Sequence, residues 1–210
     1  MTHFIRRYQQ DHPRIPPAEL TLALALRHNG DLEAARTRGS KACERYRQVY
    51  NGRHPHVLSA DIDLAVTLRL LDLPEEAHRL DEAALTILSE SLGERHPLTL
   101  ACAINLASDV AALGRAEEAR HRGEATLELC RTIFGENHPT TLACAGNLAM
   151  DLLATGTETE GRALREDTLT RMARVLDAAR LPKASGTPHP ATVQFREGIR
   201  ISCDIDPQPL

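Results

Sequence analysis

The chain has 210 residues, a formal net charge of -4 at pH 7 and a pI near 6.2. This balance gives no basic face of the kind a nucleic-acid binder presents. The sequence also offers no window of about 18 apolar residues that would read as a membrane span. Hydrophobic residues make up 42% and aromatics 3%, with no Trp, so a core has to be built from Leu, Ala, Ile and Val. Most of these are strong helix formers. Met1 to Gln10 carries Arg6 and Arg7 but no apolar stretch, which argues against a secretory signal. The five cysteines, Cys43, Cys102, Cys130, Cys144 and Cys203, form no CxxC pair. Their odd number and wide spacing fit a reducing cytoplasm.

Taken in chain order, the sequence repeats. Phe4 to Asp11 (FIRRYQQD) falls in register with Tyr46 to Arg53 and Cys130 to Asn137, the last half of a second helix. Residues 1–11 are therefore expected to be a partial unit, either an improvised cap or the continuation of a longer parent chain. His12-Pro13, His54-Pro55, His96-Pro97 and His138-Pro139 then mark four units in steps of 42 residues. A fixed period of this size indicates stacked supersecondary units. In the unit starting at 96, Pro97 opens a first helix, where a missing N–H costs nothing. Leu100, Ala103, Leu106, Ala107 and Val110 follow at helical spacing, to about Leu113. Gly114 breaks the helix, a second runs from about Ala116 to Phe134, and Gly135 ends it. Gly30-Asp31-Leu32-Glu33, Asp72-Leu73-Pro74-Glu75 and Gly156-Thr157-Glu158-Thr159 repeat the turn of Gly114-Arg115-Ala116-Glu117. The array is expected over 12–180. A linker follows at 181–188, then a polar capping helix at 189–202 opened by a fifth His-Pro pair, and an extended acidic, Pro-rich tail at 203–210.

The pattern LGExHPxTLxxxxNLAxxLxxxGRxEEA resembles the 42-residue tetratricopeptide repeat (TPR) of kinesin light chains and their bacterial relatives. The resemblance spans residues 12 to 175 and is sharpest in the units starting at 96 and 138; the Asn position is Thr21 in the first unit and Asp63 in the second. It implies an all-α fold, a right-handed TPR superhelix (α-solenoid) of about four helix-turn-helix repeats. It also implies a concave, peptide-binding face lined by the first helix of each unit. The register puts Asp63, Asn105 and Asn147 on that face. Val66, Ser108 and Met150 stand one turn on, and Arg69, Ala111 and Leu153 a further turn; the first unit contributes Thr21, Leu24 and Arg27. A side-chain amide offers a donor and an acceptor, so Asn105 and Asn147 could hold a peptide backbone of any sequence; alternatively they bond to a neighbouring helix. Arg27 and Arg69 could hold a carboxylate between them, from an acidic peptide or a free C-terminus. The alternatives are solvated arginines, or pairs with Asp31 and Asp72. The stretch from His189 through Arg196-Glu197-Gly198 to Cys203-Asp204-Ile205-Asp206-Pro207 resembles the ends of actinobacterial TPR proteins. Some of those accompany an FxSxx-tailed peptide and its radical-SAM maturase, and others carry an NB-ARC domain.

No motif points to catalysis, a cofactor or a metal. GxSxG, HExxH and GxxxxGK[ST] are all missing from the sequence. Five of the ten histidines belong to the His-Pro turns, and acidic pairs such as Glu117-Glu118 suit the positive end of a helix dipole. Cys102 and Cys144 share a repeat position and read as small core residues. The functional expectation is a cytoplasmic, non-catalytic adaptor that binds a protein or peptide. Its binding residues would be Asp63, Asn105, Asn147, Arg27, Arg69 and Ser108. The alternative is self-assembly through the incomplete N-terminal unit, or service as the sensor arm of a larger signalling or peptide-maturation protein. The acidic Asp204 and Asp206, set against the basic Arg27 and Arg69, leave open whether the tail occupies the face itself.

Overall fold

The computed structural model describes residues 15–177 and 189–205. The expected partial unit at 1–11, the linker at 181–188 and the last residues of the tail lie outside the described residues. The chain divides into two compact units. One comprises the residues up to Cys102 together with those from Asp204 onward, and the other is Ala103–Cys203.

Among the described residues all regular structure is helical. The first unit holds α1 (Ile15–His28), α2 (Leu32–Val49), α3 (Pro55–Leu70), α4 (Pro74–Leu92) and the start of α5 (Pro97–Ala112). The second holds the rest of α5, then α6 (Ala116–Phe134), α7 (Pro139–Ala154), α8 (Glu158–Met172) and α9 (Pro190–Arg196). A π-helical turn, Ala173–Asp177, extends α8. The odd-numbered helices α1 to α7 are the first helices of the repeats, and α2 to α8 the second.

The His-Pro pairs work as helix starts. At His54, His96, His138 and His189 the imidazole Nδ1 accepts the backbone N–H two residues on, each at 3.2 Å. Each bond satisfies one of the orphan N–H groups of a helix N-terminus. The following proline sits at the first helical position. The turn between paired helices is a Schellman motif. Gly114 N–H donates to Ala111 O (2.9 Å) and Arg115 N–H to Val110 O (3.1 Å). The same pair of bonds recurs around Gly30, Asp72 and Gly156. This turn needs a positive φ, which Gly30, Gly114 and Gly156 supply at no steric cost. Asp72 adopts it as the one non-glycine with positive φ among the described residues (61°).

Small residues bring paired helices close. Ala35, Ala77 and Ala119 stand 42 residues apart at the start of the second helices, each fully buried. In the first unit Leu20, Ala42, Cys43, Tyr46, Val57 and Ala60 form one cluster, and Leu58, Ile62, Ala84, Leu88 and Cys102 another. Cys102 and Cys144 are buried, as a small-core reading requires, and each thiol donates to the carbonyl 21 residues back, Asp81 O and Gly123 O. In the second unit Leu142, Ala143, Ala149, Met172, Phe195 and Ile201 pack together. There Gly146 occupies the repeat position held earlier by Ile62 and Ile104. A Cβ on Gly146 would stand 3.3 Å from the Phe195 ring. The missing side chain makes the space that α9 fills with Phe195, which is fully buried.

Helix α9 is shorter than the expected 189–202. It ends at Arg196 because Gly198 (φ 77°) closes the same Schellman turn, with Ile199 N–H bonded to Gln194 O at 2.8 Å. Residues 199–205 are not helical.

Candidate peptide-binding site

Within the second unit, polar side chains of first helices meet residues 200–203, and within the first unit they meet residues 204–205. In the second unit, Asn147 on α7 and Asn105 on α5 are almost fully buried. Asn147 Nδ2 donates to Ile201 O at 2.9 Å, and Ile201 N–H donates to Asn147 Oδ1 at 2.9 Å. Asn105 treats Cys203 the same way, with Nδ2 to O at 3.0 Å and N–H to Oδ1 at 2.9 Å. Each amide thus satisfies both backbone groups of one residue. The residues held are two apart, the period at which an extended strand presents backbone groups to one side. Asn147 Nδ2 also donates to Ser108 Oγ at 3.2 Å, so this amide bonds to the neighbouring helix as well. The Ser108 hydroxyl donates onward to Ile104 O. Arg200 forms an ion pair with buried Asp151 of α7, whose carboxyl is pushed up by burial against the opposing pull of Arg200.

In the first unit, Asp63 on α3 holds the Asn position. Its Oδ1 accepts the Ile205 N–H at 3.2 Å. Arg27 on α1 is buried and reaches across to α3. Its Nη1 donates to Asp63 O (2.8 Å) and Thr67 Oγ1 (3.2 Å), and its Nη2 meets Asp204 Oδ1 at 2.5 Å. His28 Nε2 lies 2.8 Å from the other Asp204 oxygen. Arg27 Nη2 also stands 3.6 Å from Asp63 Oδ1. Burial still dominates at Asp63, raising its carboxyl to about 7 against the opposing pull of Arg27 and the Ile205 N–H; the Asp204 charge raises it further. Ile205 packs against the cluster of Leu58, Ile62 and Leu88.

Of the six residues expected to bind, Asp63, Asn105, Asn147, Arg27 and Ser108 stand in these contacts. Arg69 is half-buried in the last turn of α3. Arg27 is neither solvated nor paired with Asp31, since its guanidinium is spent on α3 and Asp204. Sequence reasoning passed over His28, Thr67 and Asp151. For two of them a signal existed: Thr67, Asp109 and Asp151 recur every 42 residues, one turn after the Asn position, as buried polar groups.

The repeats seen in the fold have a counterpart among known families. Residues 15–90, 58–124 and 99–160 match the tetratricopeptide repeat family, together more than half of the chain. The chain belongs to the tetratricopeptide repeat family. Solved TPR structures share its fold. A kinesin light chain-like protein of Podosopora anserina with nearly identical TPR-like repeats is 25% identical, with a TM-score of 0.61 over 82% of this chain and 81% of that one. A variant of that protein gives a TM-score of 0.66 at 24% identity, over 83% and 82%. BtubC (BKLC) from P. vanneervenii is 20% identical, with a TM-score of 0.67 over 86% of this chain and 72% of that one. None of the curated proteins matches the sequence. The TPR fold is that of a protein-interaction scaffold. Among the described residues no helix is long and apolar enough to cross a membrane.

Proposed function

We propose that this TPR chain is a non-catalytic adaptor that binds an extended segment of a partner polypeptide through the first helices of its repeats. The paired backbone bonds of Asn105 and Asn147 carry this reading. An amide that gives one bond and takes one from the same residue recognises backbone and tolerates any side chain. Asp63 serves as the corresponding acceptor in the first unit, with Arg27 and Arg69 supplying positive charge for an acidic segment and Ser108 orienting Asn147. The test compares two baits in native lysate, the wild-type chain and a folded Asp63→Ala, Asn105→Ala, Asn147→Ala variant. A polypeptide captured by the first and lost from the second supports the site; equal capture by both overturns it.

A further inference from the structure

Two thiols meet inside the second unit. Cys130 stands on α6 and Cys144 on α7, and both are buried. Three contacts fix how these helices lie against each other. Thr141 Oγ1 donates to Cys130 O at 3.3 Å, and the Cys144 thiol donates to Gly123 O at 3.7 Å. Leu148 Cδ1 stands 3.3 Å from where a Cβ on Gly123 would lie. Cys144 is thus set between Thr141 and Leu148 on α7, against the stretch of α6 from Gly123 to Cys130. There its thiol also hydrogen-bonds to the Cys130 sulfur. In the first unit the repeat fills the same two positions with other side chains. Leu88 and Cys102 share one apolar cluster, and Tyr46 and Ala60 share another. Only at 130 and 144 do both positions carry a thiol. All five cysteines are reduced.

We propose that Cys130 and Cys144 are a redox pair that hydrogen peroxide closes into a disulfide, stapling α6 to α7. Acceptance of the Cys144 hydrogen bond pulls the Cys130 thiol below its ordinary range, against burial, while the same bond and burial push Cys144 well up. Cys130 is accordingly the sulfur that forms a thiolate and reacts first. It attacks the peroxide: an S–O bond forms, the O–O bond breaks, and the hydroxide that leaves takes up the Cys130 proton as water. The Cys144 sulfur then attacks the Cys130 sulfur. An S–S bond forms, the S–O bond breaks, and the hydroxide takes the Cys144 proton as a second water. The two thiols give up two electrons and one peroxide accepts them. Burial protects the pair until the contact between α6 and α7 opens, so the rate of closure follows that opening. Once closed, the short loop restricts the unfolded chain more than the native one. It also fixes α7 one turn before Asn147.

The full chain is treated with excess hydrogen peroxide, its remaining thiols are blocked with iodoacetamide, and a tryptic digest is read by mass spectrometry. Cys130, Cys144 and Cys203 fall in separate tryptic peptides, 123–131, 132–162 and 201–210, so the partners in a disulfide are told apart. The expected product joins 123–131 to 132–162 with loss of two hydrogens, and dithiothreitol reverses it. The oxidised chain should melt about 5–10 °C above the reduced one. Cys144→Ala places at 144 the residue that the fold already packs at 60. This variant should give neither the joined peptide nor the rise in Tm. The proposal is overturned by the absence of a joined peptide, or by a disulfide that pairs Cys203 or another cysteine in place of these two. It is equally overturned if the oxidised chain melts no higher than the reduced one, or if Cys144→Ala shows the same rise as the wild type. Should Cys144→Ala not fold, the peptide map of the wild-type chain decides.

Discussion

Asn147→Asp replaces one NH2 by an oxygen and changes almost no volume, so its effect isolates the hydrogen bonds of a single amide. The acceptor for Ile201 N–H is kept. The donor to Ile201 O at 2.9 Å and to Ser108 Oγ at 3.2 Å is lost. Ser108 can turn its hydroxyl towards the new carboxylate, but the Ile201 carbonyl cannot, and it then faces a buried anion. A buried acceptor left without its donor costs about 1–3 kcal/mol, and a facing charge adds to this, so a loss of about 2–4 kcal/mol at pH 7.5 follows. For a chain of this size that is a fall in Tm of roughly 5–15 °C. Protonation restores a donor. The substituted carboxyl has a native pKa raised above its unfolded value, so its protonated form stabilises at low pH, and this contribution is lost as pH rises through the raised value. Thermal unfolding followed at 222 nm, at pH 7.5 and pH 5, should show a deficit relative to wild type that shrinks on acidification. A variant as stable as wild type at pH 7.5, or a deficit of equal size at both pH values, would refute the assignment of that amide as an essential donor.

Three further outcomes are expected. Asp72→Gly removes a non-glycine residue from a positive φ, and should raise stability by about 0.5–1 kcal/mol in urea titrations; a loss of stability would mean that the Asp72 side chain contributes more than its backbone strain costs. Gly146→Ile restores the residue type found at positions 62 and 104 but fills the space of the Phe195 ring. Expelling a buried Phe costs about 3–5 kcal/mol, read as faster amide exchange throughout α9, and unchanged exchange there would contradict the packing described. Asp63→Asn keeps the acceptor for Ile205 N–H and removes a buried acid whose pKa is raised to about 7. Between the unfolded value and about 7 the native state binds the extra proton, so wild-type stability from this group is greatest at low pH and declines as pH rises towards 7. The difference between wild type and Asp63→Asn in urea should therefore move against the wild type from pH 5 to pH 8, and a difference independent of pH would show that Asp63 does not titrate there.

The sequence by itself determined the repeat, and did so because the repeat is made of local interactions. A His-Pro start, a positive-φ turn and small residues at the helix contact each act within a few residues, and a 42-residue period writes them out four times. That is why α5 and α6 are legible almost to the residue, and why the Asn register on the first helices is visible in the sequence alone. Tertiary structure decided what that register meets. The bonds from Asn147 to Ile201, Asn105 to Cys203 and Asp63 to Ile205 join residues 54, 98 and 142 positions apart. No periodicity links their two sides, and the acidic tail and basic Arg27 hinted only at attraction. The same holds for Gly146, a bare glycine in sequence and the seat of Phe195 in the fold. Helix caps and turns are satisfied by neighbours in the chain, whereas a buried amide or a missing side chain acquires its meaning only from the distant group that packs against it.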